Sequence, residues 1–224
     1  MKRYRIRDIT ILPLAVALLC GAPSSRAALA DTAAPGVAAD AGPAISGFRR
    51  AEFGMTEPQV RHAIASDFNL PASAISEAEN VLQHTQVLSV AVPNLVPGGG
   101  TAAVSYVFGY QTHRLIEVNI LWSAQIDPKI TPAMLYQNGE SLQQYFAAEG
   151  FPADRSTGNV ATSNGILLFR ASDTSGNAVL LILSGAMTKD SKTDKSILSP
   201  EALPLAYAAD PLHPDIFQLS KGSF

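Results

Sequence analysis

The sequence predicts an α+β protein: two layers, a mainly antiparallel sheet with helices on one face, built from two α-β-β-β repeats. Three observations predict it. Two segments open and close with the same helix-boundary chemistry, and each is followed by short apolar stretches of strand character. Turn residues, not long linkers, separate those stretches. The part of the chain rich enough in apolar residues to fold is about 140 residues, ample for one core and short for two.

The first thirty residues read as an address. Lys2, Arg3, Arg5 and Arg7 make a basic start, residues 9–22 are apolar except for Thr10, and Ala28-Leu29-Ala30 has the small-x-small pattern of a cleavage site. Residues 1–30 are therefore expected to be a secretory signal peptide, with Asp31 the first mature residue and a periplasmic or secreted location. The run is broken by Pro13 and falls short of the ~20 residues that span a bilayer, so no transmembrane segment is expected. The one cysteine, Cys20, lies inside this segment, so the mature chain has no disulfide and no thiolate ligand. Lipidation of Cys20 is disfavoured by Leu18 and Leu19 beside it. Removing the segment takes five of 16 basic and one of 19 acidic side chains, which leaves a net charge of −7. Such a surface repels polyanions, so nucleic acid is not an expected partner.

Residues 31–44, rich in Ala, Gly and Pro, have little to bury and read as a flexible leader. A single α+β domain is expected over 45–186, with repeat one at 48–123 and repeat two at 128–186. In the first repeat Thr56 caps a helix with Gln59 three residues on, and Met55 with Val60 forms a hydrophobic staple. In the second, Thr131 caps, Pro132 takes the first helical position, and Ile130 with Leu135 is the staple. Asn69-Leu70-Pro71 and Gly150-Phe151-Pro152 then stop the two helices alike, so Asn69 and Gly150 are expected at positive φ. Asn138-Gly139 falls inside the second helix and threatens to split it.

Strands are expected at 81–92, 103–110 and 114–122 in repeat one, and at 159–162, 166–171 and 178–184 in repeat two. Pairing large with large sets Tyr106 opposite Val118 and Phe108 opposite Ile116, with Gln111-Thr112-His113 as a three-residue loop. Residues 166–169 and 179–183 are apolar on both faces, which predicts this hairpin at the middle of one shared core. The segment between repeats holds Ile126 and reads as a tight crossover. Residues 187–224 are expected to be a polar loop and irregular tail, with one short helix at Ser199-Pro200-Glu201.

Phe53-Gly54-Met55-Thr56 followed by Val60, a strand ending in an aromatic, a turn, Arg114-Leu115 and an apolar strand together resemble the helix-plus-three-strand unit of SmpA/OmlA-type envelope lipoproteins. The doubled form resembles the tandem β-lactamase-inhibitor-protein fold. The first resemblance implies assistance in outer-membrane protein assembly; the second implies a concave sheet that grips a partner. The chain departs from both: there is no lipobox, and inhibitor-type disulfides are impossible.

Few residues carry a recognisable chemical pattern. His62, His84, His113 and His213 show no i,i+2 or i,i+4 pairing, so no metal site is expected. Gly98-Gly99-Gly100 lacks the Lys-Ser/Thr of a phosphate loop and reads as a strand connection. Glu77 and Glu79 read as solvated loop carboxylates. Arg49-Arg50, as adjacent strand residues, are expected to face opposite ways. The terminal Phe224 follows a segment without the alternation of a barrel strand. No catalytic residue and no cofactor are expected. Tyr110 and Trp122 are the candidate partner contacts, because Tyr and Trp bury large area at low entropic cost. The reading is an exported envelope protein with a non-enzymatic binding or accessory role toward a protein or envelope component. Two alternatives stand beside it: a metal-independent hydrolase whose site is assembled from dispersed residues, and a structural or stress-related envelope protein without a specific ligand. A deep pocket joining a serine to a histidine or carboxylate favours the hydrolase; exposed aromatics on a shallow sheet favour binding.

Overall fold

The computed structural model describes residues 42–189, 196–219 and Gly222. The expected signal peptide, most of the leader and Phe224 lie outside the described residues. Two helices, α1 (Glu57–Phe68) and α2 (Pro132–Ala148), pack on a nine-stranded sheet. Its strands are β3 (Ser76–Asn80), β4 (Thr85–Pro93), β5 (Thr101–Phe108), β6 (Leu115–Ser123), β7 (Ser156–Thr157), β8 (Val160–Thr162), β9 (Gly165–Ser172), β10 (Ala178–Lys189) and β11 (Ser196–Ala208). A small ribbon of β1 (Gly47–Phe48) and β2 (Ala51–Glu52) precedes α1. The sheet runs β3-β4-β5-β6-β11-β10-β9-β7, with β8 also paired to β9, and its ladders are antiparallel. This is the expected α+β class. From the β6–β11 seam outward, each half shows its strands in reverse chain order.

Both helices start and stop by the chemistry in the sequence. The Thr56 N–H donates to Gln59 Oε1 at 2.9 Å, and Thr131 Oγ1 accepts from the Met134 N–H at 3.2 Å. Asn69 caps α1 at φ 49°, and Gly150, just past α2, has φ 79°. The second helix is not split. Gly139 leaves room where a Cβ would lie 2.7 Å from Leu168, and buried Asn138 turns inward to donate to the Gly99 carbonyl at 2.9 Å. The apolar side of the sheet and both helices form one cluster, which takes in Val60, Ile64, Leu88, Tyr106, Trp122, Leu135, Phe146, Leu181 and Leu205.

Four expectations are corrected. The segment after residue 186 is not an irregular tail with a helix at Ser199. It holds the 13-residue β11, so the domain runs on beyond that boundary. Pro200 and Pro204 imitate helix and loop chemistry, yet the β10 ladder is interrupted beside Pro204, and its register shifts between Ser184 and Gly185, where Gly185 faces Pro200. Consequently β6 and β11 hold the middle, and the β9–β10 hairpin lies further out. In the first hairpin Tyr106 does face Val118, but a register shift after Val107 sets Phe108 opposite Leu115 instead of Ile116. Leu115 is buried as a result. Finally, Glu77 and Glu79 stand on edge strand β3, where exposed charge deters further strand pairing. Glu77 accepts from Arg61 and from Gln86, both at 2.7 Å.

Candidate functional site

One end of the sheet gathers exposed apolar side chains. The β3–β4 turn and the β5–β6 turn are neighbours there, because Asn80 pairs with Thr85 and Gln86 with Phe108. The segment after β11 crosses both. The Ala209 N–H donates to the Ile116 carbonyl at 2.8 Å, the Tyr110 N–H to the Asp215 carbonyl at 2.8 Å, and the Phe217 N–H to the Gln83 carbonyl at 2.9 Å. The Asp215 carboxylate then receives the Gln111 N–H at 3.0 Å, the Thr112 N–H at 2.9 Å and the Thr112 hydroxyl at 2.6 Å. Partial burial pushes its pKa up, but these hydrogen bonds prevail and hold it below the ordinary 3.8. Gly109 permits the approach, since any Cβ there would overlap the same carboxylate.

This clasp brings three rings together. His84 lies 4.6 Å from Phe217 and 5.7 Å from Tyr110, and Tyr110 meets Phe217 edge-on at 5.6 Å. Around them Val81 is 74% exposed, Leu82 81%, Leu219 63%, and Tyr110 and Phe217 37% each. Several large apolar residues exposed at one end are uncommon on a monomer that only needs to stay in solution.

Trp122 sits elsewhere. It is fully buried on β6, toward the other end of that strand, so the expectation that it touches a partner is corrected. Its neighbours explain this: Leu203 on β11 pairs with it, and the seam between the two halves closes over it. The structure thus does not bring Tyr110 and Trp122 together. Sequence reasoning missed Phe217 and Asp215, because Asp215 reaches Gln111 across 104 residues and no local pattern announces such a contact. It also took Tyr110 for a strand residue, whereas Tyr110 is in the turn.

Other chemistry is self-contained. Ser89 and Ser105 share a hydrogen bond of 2.8 Å on the helix-free face, which is lined by small residues such as Ala91, Ala103 and Ala206 instead of aromatics. Nearby, burial raises the Glu117 pKa against the opposing Asn119 hydrogen bond. Arg49 and Arg50 do not diverge as strand residues would. They form the turn between β1 and β2, and both reach Asp67, Arg50 through its N–H at 3.1 Å and Arg49 through its guanidinium to the carbonyl at 3.3 Å. Among the described residues no group of three or more His, Cys, Asp or Glu could hold a metal, and no helix is long and apolar enough to cross a membrane.

Comparison with protein-family models, with curated proteins and with solved structures finds no match. The chemistry of the surface alone has to carry the functional reading.

Proposed function

We propose that this chain is an exported envelope protein that works by binding, in an accessory role toward a protein or envelope-component partner. The observation that carries the reading is the apolar surface at the clasped end, where Val81, Leu82 and Leu219 stand out beside the Tyr110–His84–Phe217 rings. An ordered aromatic anchor ringed by aliphatic side chains is the composition of an interface centre, since Tyr and Phe bury much area and lose few rotamers. The basic start, apolar run and Ala28-Leu29-Ala30 support export, with Asp31 as the mature terminus.

The topology supports the doubled-unit reading as well. Each helix is followed by three long antiparallel strands, β4-β5-β6 and β9-β10-β11, and the last strand of each set meets the other at the seam. This is the order expected of a tandem repeat of the SmpA/OmlA or inhibitor-protein kind, with the third strand of the second unit supplied by residues 196–208.

A benzophenone side chain placed at Leu82 in the exported protein tests the binding reading. Irradiation of cells should give a discrete crosslinked adduct, lost when Val81→Asp is added. No adduct from Leu82, with adducts at a control site on exposed Glu140, sinks the proposal. Terminal sequencing of the purified protein tests export, and a mature chain beginning at Met1 refutes it.

A further inference from the structure

A cavity of about 460 Å³ lies on the helix side of the seam, away from the clasped end. Its floor is Ile120 and Trp122 of β6 with Leu205 and Tyr207 of β11, and Ile120 pairs directly with Leu205. One wall is Leu142 and Phe146 of α2. Residues 43–49 form the opposite cover, pinned where Asp173 accepts the Ile45 N–H and Asn177 donates to the Ile45 carbonyl, each at 2.8 Å. The volume is in the ~300–1,000 Å³ range of small-molecule sites.

One polar group on this floor is open to the cavity. Trp122 is fully buried, and its indole N–H, without an acceptor among the described residues, is sealed from any solvent-sized space, so a ligand does not reach it. The Tyr207 hydroxyl belongs to a half-buried side chain that lines the cavity, and burial, then Tyr145 and Glu149 nearby, keep it protonated. It can donate, and a donor facing a largely apolar space favours a ligand that brings an acceptor. The charges at the rim argue about ligand charge. The exposed Glu149 carboxylate repels an anion, while the Arg49 guanidinium is already engaged with the Asp67 carbonyl at 3.3 Å and with the Phe68 ring at 4.9 Å.

We infer that this cavity binds a neutral, mainly apolar small molecule that carries an acceptor oxygen, a carbonyl above all, held by the Tyr207 hydroxyl. The inference goes beyond the partner-binding surface and does not depend on it. Aliphatic and aromatic walls take the apolar body, and the acceptor oxygen receives the Tyr207 hydroxyl.

Trp122 is the chain's single tryptophan, so its emission reports on the cavity directly. Titration of the full chain with 2-decanone should give a saturable change in Trp122 emission at one molecule per chain. n-Decane, without an acceptor, should bind about five- to tenfold more weakly, the loss expected for one hydrogen bond. Decanoate at neutral pH should bind more weakly than the ketone. Tyr207→Phe should lower ketone affinity about fivefold and leave decane unchanged. Val96→Phe, which fills the cavity from the half-buried β4–β5 loop, should abolish saturable binding while the far-ultraviolet spectrum stays that of the parent. An absent or unsaturable response, equal binding by Val96→Phe, or tighter binding of decanoate than of 2-decanone each overturns the inference.

Discussion

Asn138 offers the sharpest test of how the two halves are locked together. It is buried in the middle of α2 and donates to the Gly99 carbonyl, in the loop between β4 and β5 of the other half. Asn138→Ala strands that carbonyl without its donor, at a cost of about 1–3 kcal/mol, and vacates the space of the amide. About 2 kcal/mol is expected. For a chain of this size that lowers Tm by roughly 4–8 °C, or shifts a urea midpoint by about 1 M. Gly99→Ala should cost about as much by a different route. Gly99 does not have positive φ, so alanine fits its backbone, but the new methyl would overlap Asn138 Oδ1 and push the amide out of its bond. In the double variant the overlap is gone and the bond is already lost. Its stability should therefore equal that of Asn138→Ala alone, a coupling of about 2 kcal/mol. Urea unfolding of the four proteins measures it. Additive costs, or an Asn138→Ala variant within about 0.5 kcal/mol of the parent, refute the argument.

Glu117→Gln should stabilise the protein at pH 7. Burial raises the folded-state pKa above the ordinary 4.5, so the folded chain holds the proton more tightly than the unfolded one. The group's contribution is present below that value and is lost as pH rises through the folded pKa. The gain from Gln should then shrink as urea midpoints are measured toward pH 4, and a gain independent of pH contradicts the sign. Ending the chain at residue 195 should abolish cooperative unfolding, since it removes the buried Leu203 and Leu205 and takes away the strand that β6 and β10 both pair with. A sigmoidal urea transition for the shortened chain refutes the central placement of β11.

The helix boundaries were legible because caps are local. Thr56, Gln59, Asn69, Thr131 and Gly150 each act within a few residues of where they stand, and their chemistry is independent of the rest of the fold. The strands β5 and β6 were legible for a similar reason, with period-two alternation from Val104 to Phe108, whereas the strand expected from Val81 begins at Thr85, and residues 81–84 are the turn that joins it to β3, a strand no alternation marks. The register failed by one residue because a shift after Val107 has no sequence mark. The strand β11 was illegible for a deeper reason. Ser199-Pro200-Glu201 is sound helix-start chemistry, and only the interrupted ladder to β10 makes two prolines tolerable in a central strand. The clasp was invisible in principle, since Asp215 means nothing until the β5–β6 turn is placed beside it. Tyr110 was found for its residue type, and its two ring partners were not.

The cavity at the seam follows from the arithmetic of the layers. Eight strands along the sheet's main path, spaced about 4.8 Å apart, span roughly 34 Å. Two helices about 10–12 Å across cover at most some 24 Å of that width. Each helix packs over its own half, α2 on β9, β10 and β11, so the shortfall of about 10 Å cannot be shared evenly. At the β3 edge it costs little, because that strand is polar and can face water. At the seam the floor is Ile120, Trp122, Leu205 and Tyr207, which cannot. The residues before α1 therefore do work no helix does: Ile45 is buried in the core and the Phe48 ring lies tilted against Tyr207 at 5.6 Å, where a third helix would otherwise be needed. A cover of seven residues pinned at Ile45 is thinner than a helix, and the space it fails to fill is the cavity. Joining the two halves edge to edge thus creates a pocket that neither half could form alone, and the residues of its floor, Tyr207 among them, come from the two strands that make the join.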